Sequence, residues 1–278
     1  MLLKIEAEVK LDSDPCVLAW DNQLLVGTED GCIKSFDGKL SPKESWQAHG
    51  VQLFALATGN NYLYSSSNDG GIRVWTLTGQ KVTELPFAGA DIGTVQVFGS
   101  HVYGGDESGN ITIYENNEIK ASYNVLEEVK DLWYDPPYLF TTRDAYVTVT
   151  EIKPEDSKTR FMTRHTMEGR APLRGTECRL VFVSRSGFSL CLHDSSINTV
   201  FEKLHEVKVS DMIVTSLAVS GNNVWSGGWD GIVRKWKIAG SKLEAAGEIN
   251  LGGCINSLAS ANDRVYAAVA GGKLVCVS

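Results

Sequence analysis

The sequence is poor in most features that mark catalysts, metal proteins and membrane proteins. No apolar run in its 278 residues is long enough to cross a bilayer as a helix. Seven prolines rarely interrupt the chain, and no long helical period appears. None of the six cysteines stands in a C-x-x-C pair, which excludes the common zinc and dithiol motifs; they read as reduced thiols serving as small apolar residues. There is no G-x-x-x-x-G-K-[ST] phosphate loop, no H-E-x-x-H and no G-x-S-x-G elbow, and five scattered histidines point to no triad. Asp12-Ser13-Asp14 starts like a calcium loop, but the later ligands are missing. A net charge of −8 argues against a nucleic-acid backbone as principal partner. No cofactor, metal or catalytic residue is expected.

The start of the chain is equally negative as a targeting signal. In MLLKIEAEVKL, apolar residues alternate with charged ones, which is the period of a strand and not of a signal peptide. The expectation that follows is a cytoplasmic or nuclear protein.

What the chain does have is repetition. A tight-turn dipeptide, Asp-Gly in its best form, places a marker residue at 31, 70, 109, 145, 187, 231 and 272, at intervals of 36 to 44 residues. Five residues after the marker comes a position occupied by Phe36, Trp75, Tyr114, Thr150, Leu192, Trp236 and Val277. Short runs of β-branched and aromatic residues flank each turn, so every unit reads as four short strands. One such sheet cannot bury both faces alone, and seven stacked radially close into a ring. The chain ends in the third strand of the seventh unit and begins with a spare strand at residues 2–10. Pairing those two would seal the ring. The expected fold is all-β: a seven-bladed β-propeller of four-stranded antiparallel blades, one domain over 1–278.

The strings SSSNDGGIRVWT (65–76) and SGGWDGIVRKWK (226–237), with weaker copies in register along the chain, resemble the WD40-repeat superfamily in its seven-bladed form. The resemblance implies a buried His–Ser–Asp–Trp network within a blade. His49, Ser65 (or Ser67), Asp69 and Trp75 supply it in full in unit two; Ser226, Asp230 and Trp236 supply it in unit six, without the histidine. It also implies a rigid platform that binds proteins or peptides on one face, itself monomeric, within a larger complex.

The residue two before each marker is expected on the rim of that face: Glu29, Asn68, Glu107, Arg143, Arg185, Trp229 and Ala270; in unit five Phe188, Leu190 and Leu192 also alternate, so its register reads in two ways one residue apart. Units one to three present acids and an amide; units four to six present two arginines and a tryptophan, types favoured in binding hot spots. Trp229 reads either as a partner anchor or as a cap on its own blade. Residues 153–185 carry Lys153, Lys158, Arg160, Arg164, Arg170, Arg174, Arg179 and Arg185 against Glu155, Asp156, Glu168 and Glu177. Arg170, at the start of an innermost strand, is expected at the channel mouth. Two readings follow: a protein-interaction scaffold using Trp229, Arg143, Arg185, Arg170, Glu29, Asn68 and Glu107, or a binder of phosphoinositide or nucleic acid through the basic sector. The F-R-R-G string of the family's lipid-binding branch is absent.

Overall fold

Turn chemistry sets the blades. At Gly31, Gly109 and Gly231 the backbone adopts φ of 82°, 83° and 72°, where a side chain is strained. Each donates its N–H three residues back, to the carbonyl of Thr28, Asp106 or Gly228. A Cβ on Gly31 would also sit 2.2 Å from the His49 carbonyl oxygen. Glycine therefore lets the chain reverse tightly and lets the next loop pack against the reversal.

The computed structural model describes residues 3–86, 89–153 and 160–278. These form seven four-stranded antiparallel sheets. Six blades run in simple chain order and begin at Pro15, Ala55, Ile92, Asp131, Arg170 and Val214. The seventh takes its three inner strands from Ile255–Ala261, Arg264–Val269 and Lys273–Val277, and its outer strand from Ile5–Lys10. Val9 lies opposite Leu274 and Ala7 opposite Cys276. Beyond the strand, Lys4 and Ser278 exchange both backbone hydrogen bonds. The ring is thus sealed by its own termini, as the alternating start of the chain predicts. Apart from one 3-10 turn at Ile197–Thr199, the described residues hold no helix.

The core lies between blades. Trp75 of blade two packs with Leu25, Ile33 and Leu53 of the neighbouring blade and the loop between them. Tyr266 of blade seven stacks on Trp20 of blade one, with centroids 4.9 Å apart, and donates its hydroxyl to the Gly38 carbonyl. Innermost strands touch their neighbours all round the ring, including first against last. Each fully buried leucine or isoleucine in these seams stabilises by about 1.5–3 kcal/mol.

Two sequence expectations need correction. In most blades a bulge falls just before the tryptophan-like position, as at Val74/Trp75 and Lys235/Trp236. In blade five it falls between Leu192 and His193, and His193, not Leu192, faces Leu180 as Trp236 faces Val224. Phe188 is an extra residue after the turn, and it shifts the strand by one. The cysteines also differ from expectation. All six are free, but only Cys191 and Cys276 are buried, and Cys178 is exposed.

Candidate functional site

Because each blade's second strand runs up to its glycine turn and each outer strand runs up to the link into the next blade, all these turns and links share one face. Five of the exposed large apolar side chains stand there: Val51, Phe54, Leu126, Met212 and Trp229. Trp229 is 61 % exposed and makes no ring contact with another side chain. Its backbone N–H is held by the Ile213 carbonyl, beside exposed Met212. The indole therefore stands largely in solvent, and its backbone is held to the link between blades five and six, which also carries exposed Met212.

The other rim positions are less uniform than their spacing suggests. Glu29, Asn68 and Glu107 are exposed, as is Arg185; Ala270 is half-buried. Arg185 reaches Glu168 at 3.4 Å and lies 5.7 Å from the centre of the Tyr146 ring. Arg143 is only 18 % exposed along its side chain and pairs with Glu127 at 3.1 Å. Both arginines are thus matched by carboxylates on the same face. Glu29, Asp91 and Glu107 have no cationic partner among the described residues. The half of the ring read as basic is close to neutral, and the opposite half is acidic.

Arg170 does start the innermost strand of blade five, facing Val183. Its guanidinium lies near the Gly187 turn, about where a Cβ there would be in contact at 3.7 Å, and not on the channel wall. The arginine of the channel is Arg174. It donates to Asp131 of blade four at 2.6 Å, and the same carboxylate oxygen accepts the Leu173 N–H at 2.9 Å. The other oxygen takes the Leu132 N–H at 2.9 Å and is 3.5 Å from the Thr94 hydroxyl of blade three. One buried carboxylate therefore ties three blades around a channel cavity of about 260 Å³. The sequence offered one signal of this pair: an acid just before the core residue Leu132 and a base just after the core residue Leu173.

Among the described residues, the rest of the basic sector does not assemble into a patch. Arg164 on the outer strand of blade four pairs with Glu151 on its third strand, and Arg179 pairs with Asp194 at 3.3 Å near the opposite face. Lys153 lies 3.4 Å from Glu151. Lys158, Glu155 and Asp156 lie outside the described residues.

The histidine network of blade two has a definite proton order. Trp75 Nε1–H donates to Ser65 Oγ at 2.9 Å. Ser65 Oγ is 2.8 Å from His49 Nε2, and His49 Nδ1 is 2.6 Å from Asp69. A carboxylate only accepts, so Nδ1 carries the proton and Nε2 accepts from the serine. Ser67 is not a member; it donates to the Gln52 carbonyl at 2.7 Å. In blade six Trp236 donates to Ser226 at 2.9 Å, while Asp230 binds Arg234 at 2.7 Å. Burial pushes the His49 imidazole below its ordinary pKa. Buried at 1 % exposure and filled on both nitrogens, His49 is a structural group. No three or more His, Cys, Asp or Glu among the described residues cluster as a metal site, and no helix of the described residues is long and apolar enough to cross a membrane.

Comparison with known proteins agrees with this geometry. The family described as WD domain, G-beta repeat matches residues 40–76 and 201–237, which end in the third strands of blades two and six. No curated protein matches the chain. Among solved structures, the WD40 β-propeller domain of Doa1 superposes with a TM-score of 0.82 at 14 % identity, over 99 % of this chain and 96 % of that one. The computationally designed Ika8 protein superposes with a TM-score of 0.73 at 18 % identity, over 98 % and 99 %. The chain thus carries WD40-family repeats in blades two and six, within a seven-bladed β-propeller fold.

Proposed function

We propose that this propeller is a non-catalytic interaction scaffold whose partner docks on the face of the glycine turns, with Trp229 as anchor. WD40 propellers typically mediate protein interactions, and this fold brings a platform and no reaction of its own. The observation that carries the reading is the exposed Trp229 indole, whose backbone is held to the link that carries exposed Met212. A wet aromatic of that size forgoes burial worth a few kcal/mol, which a partner side chain can supply. Unmatched Glu29, Asp91 and Glu107 favour a segment that combines a bulky apolar residue with lysine or arginine.

A displayed peptide library selected on the wild type and counter-selected on Trp229→Ala tests this. Basic, apolar-containing peptides are expected, bound about tenfold or more weakly by Trp229→Ala and by Met212→Ser. Both variants should keep the wild-type circular-dichroism spectrum. Peptides that bind wild type and Trp229→Ala equally would place the docking surface elsewhere.

A further inference from the structure

Blade two reverses between its first two strands, Ala55–Gly59 and Tyr62–Ser66, through Asn60-Asn61. Blade three reverses between its last two, Asn110–Glu115 and Glu118–Asn124, through Asn116-Asn117. All four asparagines hold a left-handed backbone, with φ of 55° and 65° in the first turn and 53° and 65° in the second. Asparagine tolerates that conformation, but such two-residue turns favour Asn-Gly. The turn therefore explains Asn116 and does not call for the amide of Asn117. Both turns lie on the face opposite the glycine turns. Asn60, Asn116 and Asn117, with Ser100, rim a cavity of about 310 Å³ in the seam between blades two and three.

The floor of this cavity is aromatic and apolar: Tyr64, Val102 and Tyr114 line it and are buried. Tyr62, two residues before Tyr64 and on the same side of the strand, lines it too and is 37 % exposed. The rim residues Asn60, Ser100, Asn116 and Asn117 are all exposed. The Asn60 side chain lies by the Tyr64 hydroxyl, and the Tyr114 hydroxyl donates to the Pro86 carbonyl at 3.1 Å. The amides of Asn116 and Asn117 and the Tyr62 hydroxyl make no hydrogen bond to another described residue. No aspartate, glutamate, lysine, arginine or histidine lines the cavity, so an ion of either sign would find no counter-charge there. Amides and hydroxyls both donate and accept, as the hydroxyls of a sugar do. An exposed tyrosine ring offers a flat face to the apolar side of a sugar ring. The volume falls at the lower end of ligand pockets, about 300–1,000 Å³, which suits one sugar ring.

We infer that the cleft between blades two and three binds an uncharged pyranose sugar, with its apolar side on Tyr62 and its hydroxyls bonded to Asn60, Asn116 and Asn117. The site lies on the opposite face from the partner surface proposed above, and neither stands on the other.

Calorimetric titration and saturation-transfer NMR with glucose, N-acetylglucosamine, glucuronate and glycerol test the inference. A neutral sugar is expected to bind saturably at millimolar concentration and more tightly than glucuronate, and glycerol, which has no ring, not at all. Asn117→Gly removes an amide and suits the left-handed turn; Tyr62→Ala removes an exposed ring. Each should keep the wild-type circular-dichroism spectrum and weaken binding about fivefold to tenfold. If Tyr62→Ala does not fold, Asn117→Gly decides. N-acetylglucosamine O-linked to a serine tripeptide separates the two sources of such a ring. Tighter binding than the free sugar assigns a glycosylated protein, and equal or weaker binding assigns a free sugar. No saturable binding of either neutral sugar, tighter binding of glucuronate, or equal binding by wild type and both variants overturns the site.

Discussion

At the scale of single residues, His49 shows how a group typical of active sites becomes part of a scaffold. It is fixed by Ser65 on one side and Asp69 on the other, and Trp75 locks the serine. Burial lowers its pKa from the ordinary 6.5, and burial also lowers that of His193, whose Nδ1 bonds to the Phe201 carbonyl. Burial works to raise the Asp69 pKa, but the Gly50 N–H, His49 and Arg73 outweigh it and hold the carboxyl below its usual value. The signs then follow. A histidine that titrates lower in the fold than in the unfolded chain takes up protons preferentially on unfolding. Its contribution is complete above 6.5 and is lost as pH falls through the folded value. Melting temperature should therefore drop on acidification from about pH 7 to about pH 5.5, before carboxylates titrate. His49→Gln should start less stable and show a shallower slope, with His193 supplying what remains. A slope unchanged in His49→Gln would remove His49 from the account.

Elements show where reading the sequence succeeded and where one residue of chain misled it. The alternation of residues 2–10 and the unit count foretold the closing strand, because a two-residue period and an unpaired last sheet leave one economical arrangement. Removing residues 1–11 takes away that strand together with buried Leu3 and Leu11, and bares the edge of Lys273–Val277. The loss is expected to be several kcal/mol, a fall of roughly 10 °C or more in melting temperature. The open edge should promote self-association, visible by size-exclusion chromatography. A synthetic peptide of residues 1–12 should restore both. A truncated chain that melts like wild type would show that closure contributes nothing. Blade five is the counter-case. Its turn glycine lies on the common spacing, but Phe188 lengthens the turn and His193 takes the tryptophan-like place. A fixed offset cannot reveal an inserted residue when Leu190 and Leu192 alternate as well as their neighbours do.

Across the whole molecule, stability depends on seams that no single blade can make. Asp131 is the sharpest instance, because its carboxylate receives Arg174 and Leu173 of blade five while its own strand belongs to blade four. Asp131→Ala strands an arginine and a backbone N–H beside the channel, and should cost about 3 kcal/mol in urea unfolding. The pair Asp131→Ala and Arg174→Ala should show strong coupling in a double-mutant cycle. Additive losses would mean that the two side chains act separately. The same long-range pairing explains why the rim was read incompletely. Arg143 and Arg185 stand at their blades' turns, but Glu127 meets the first from the link between blades three and four and Glu168 meets the second from the end of blade four's outer strand. Charge on a face is a sum over blades, and a list of one position per blade omits the groups that answer it.

The repeat spacing, the turn glycines and the alternating strands were enough by themselves to dictate seven four-stranded blades and a ring sealed by its ends. These are local signals repeated in register, and a sheet with two apolar faces has few ways to cover them. Only the folded ring decided which charges cancel, which tryptophan stays bare, and which neutral side chains meet in the cleft between blades two and three. Those outcomes arise where side chains from separate blades meet, at distances along the chain that no local pattern encodes.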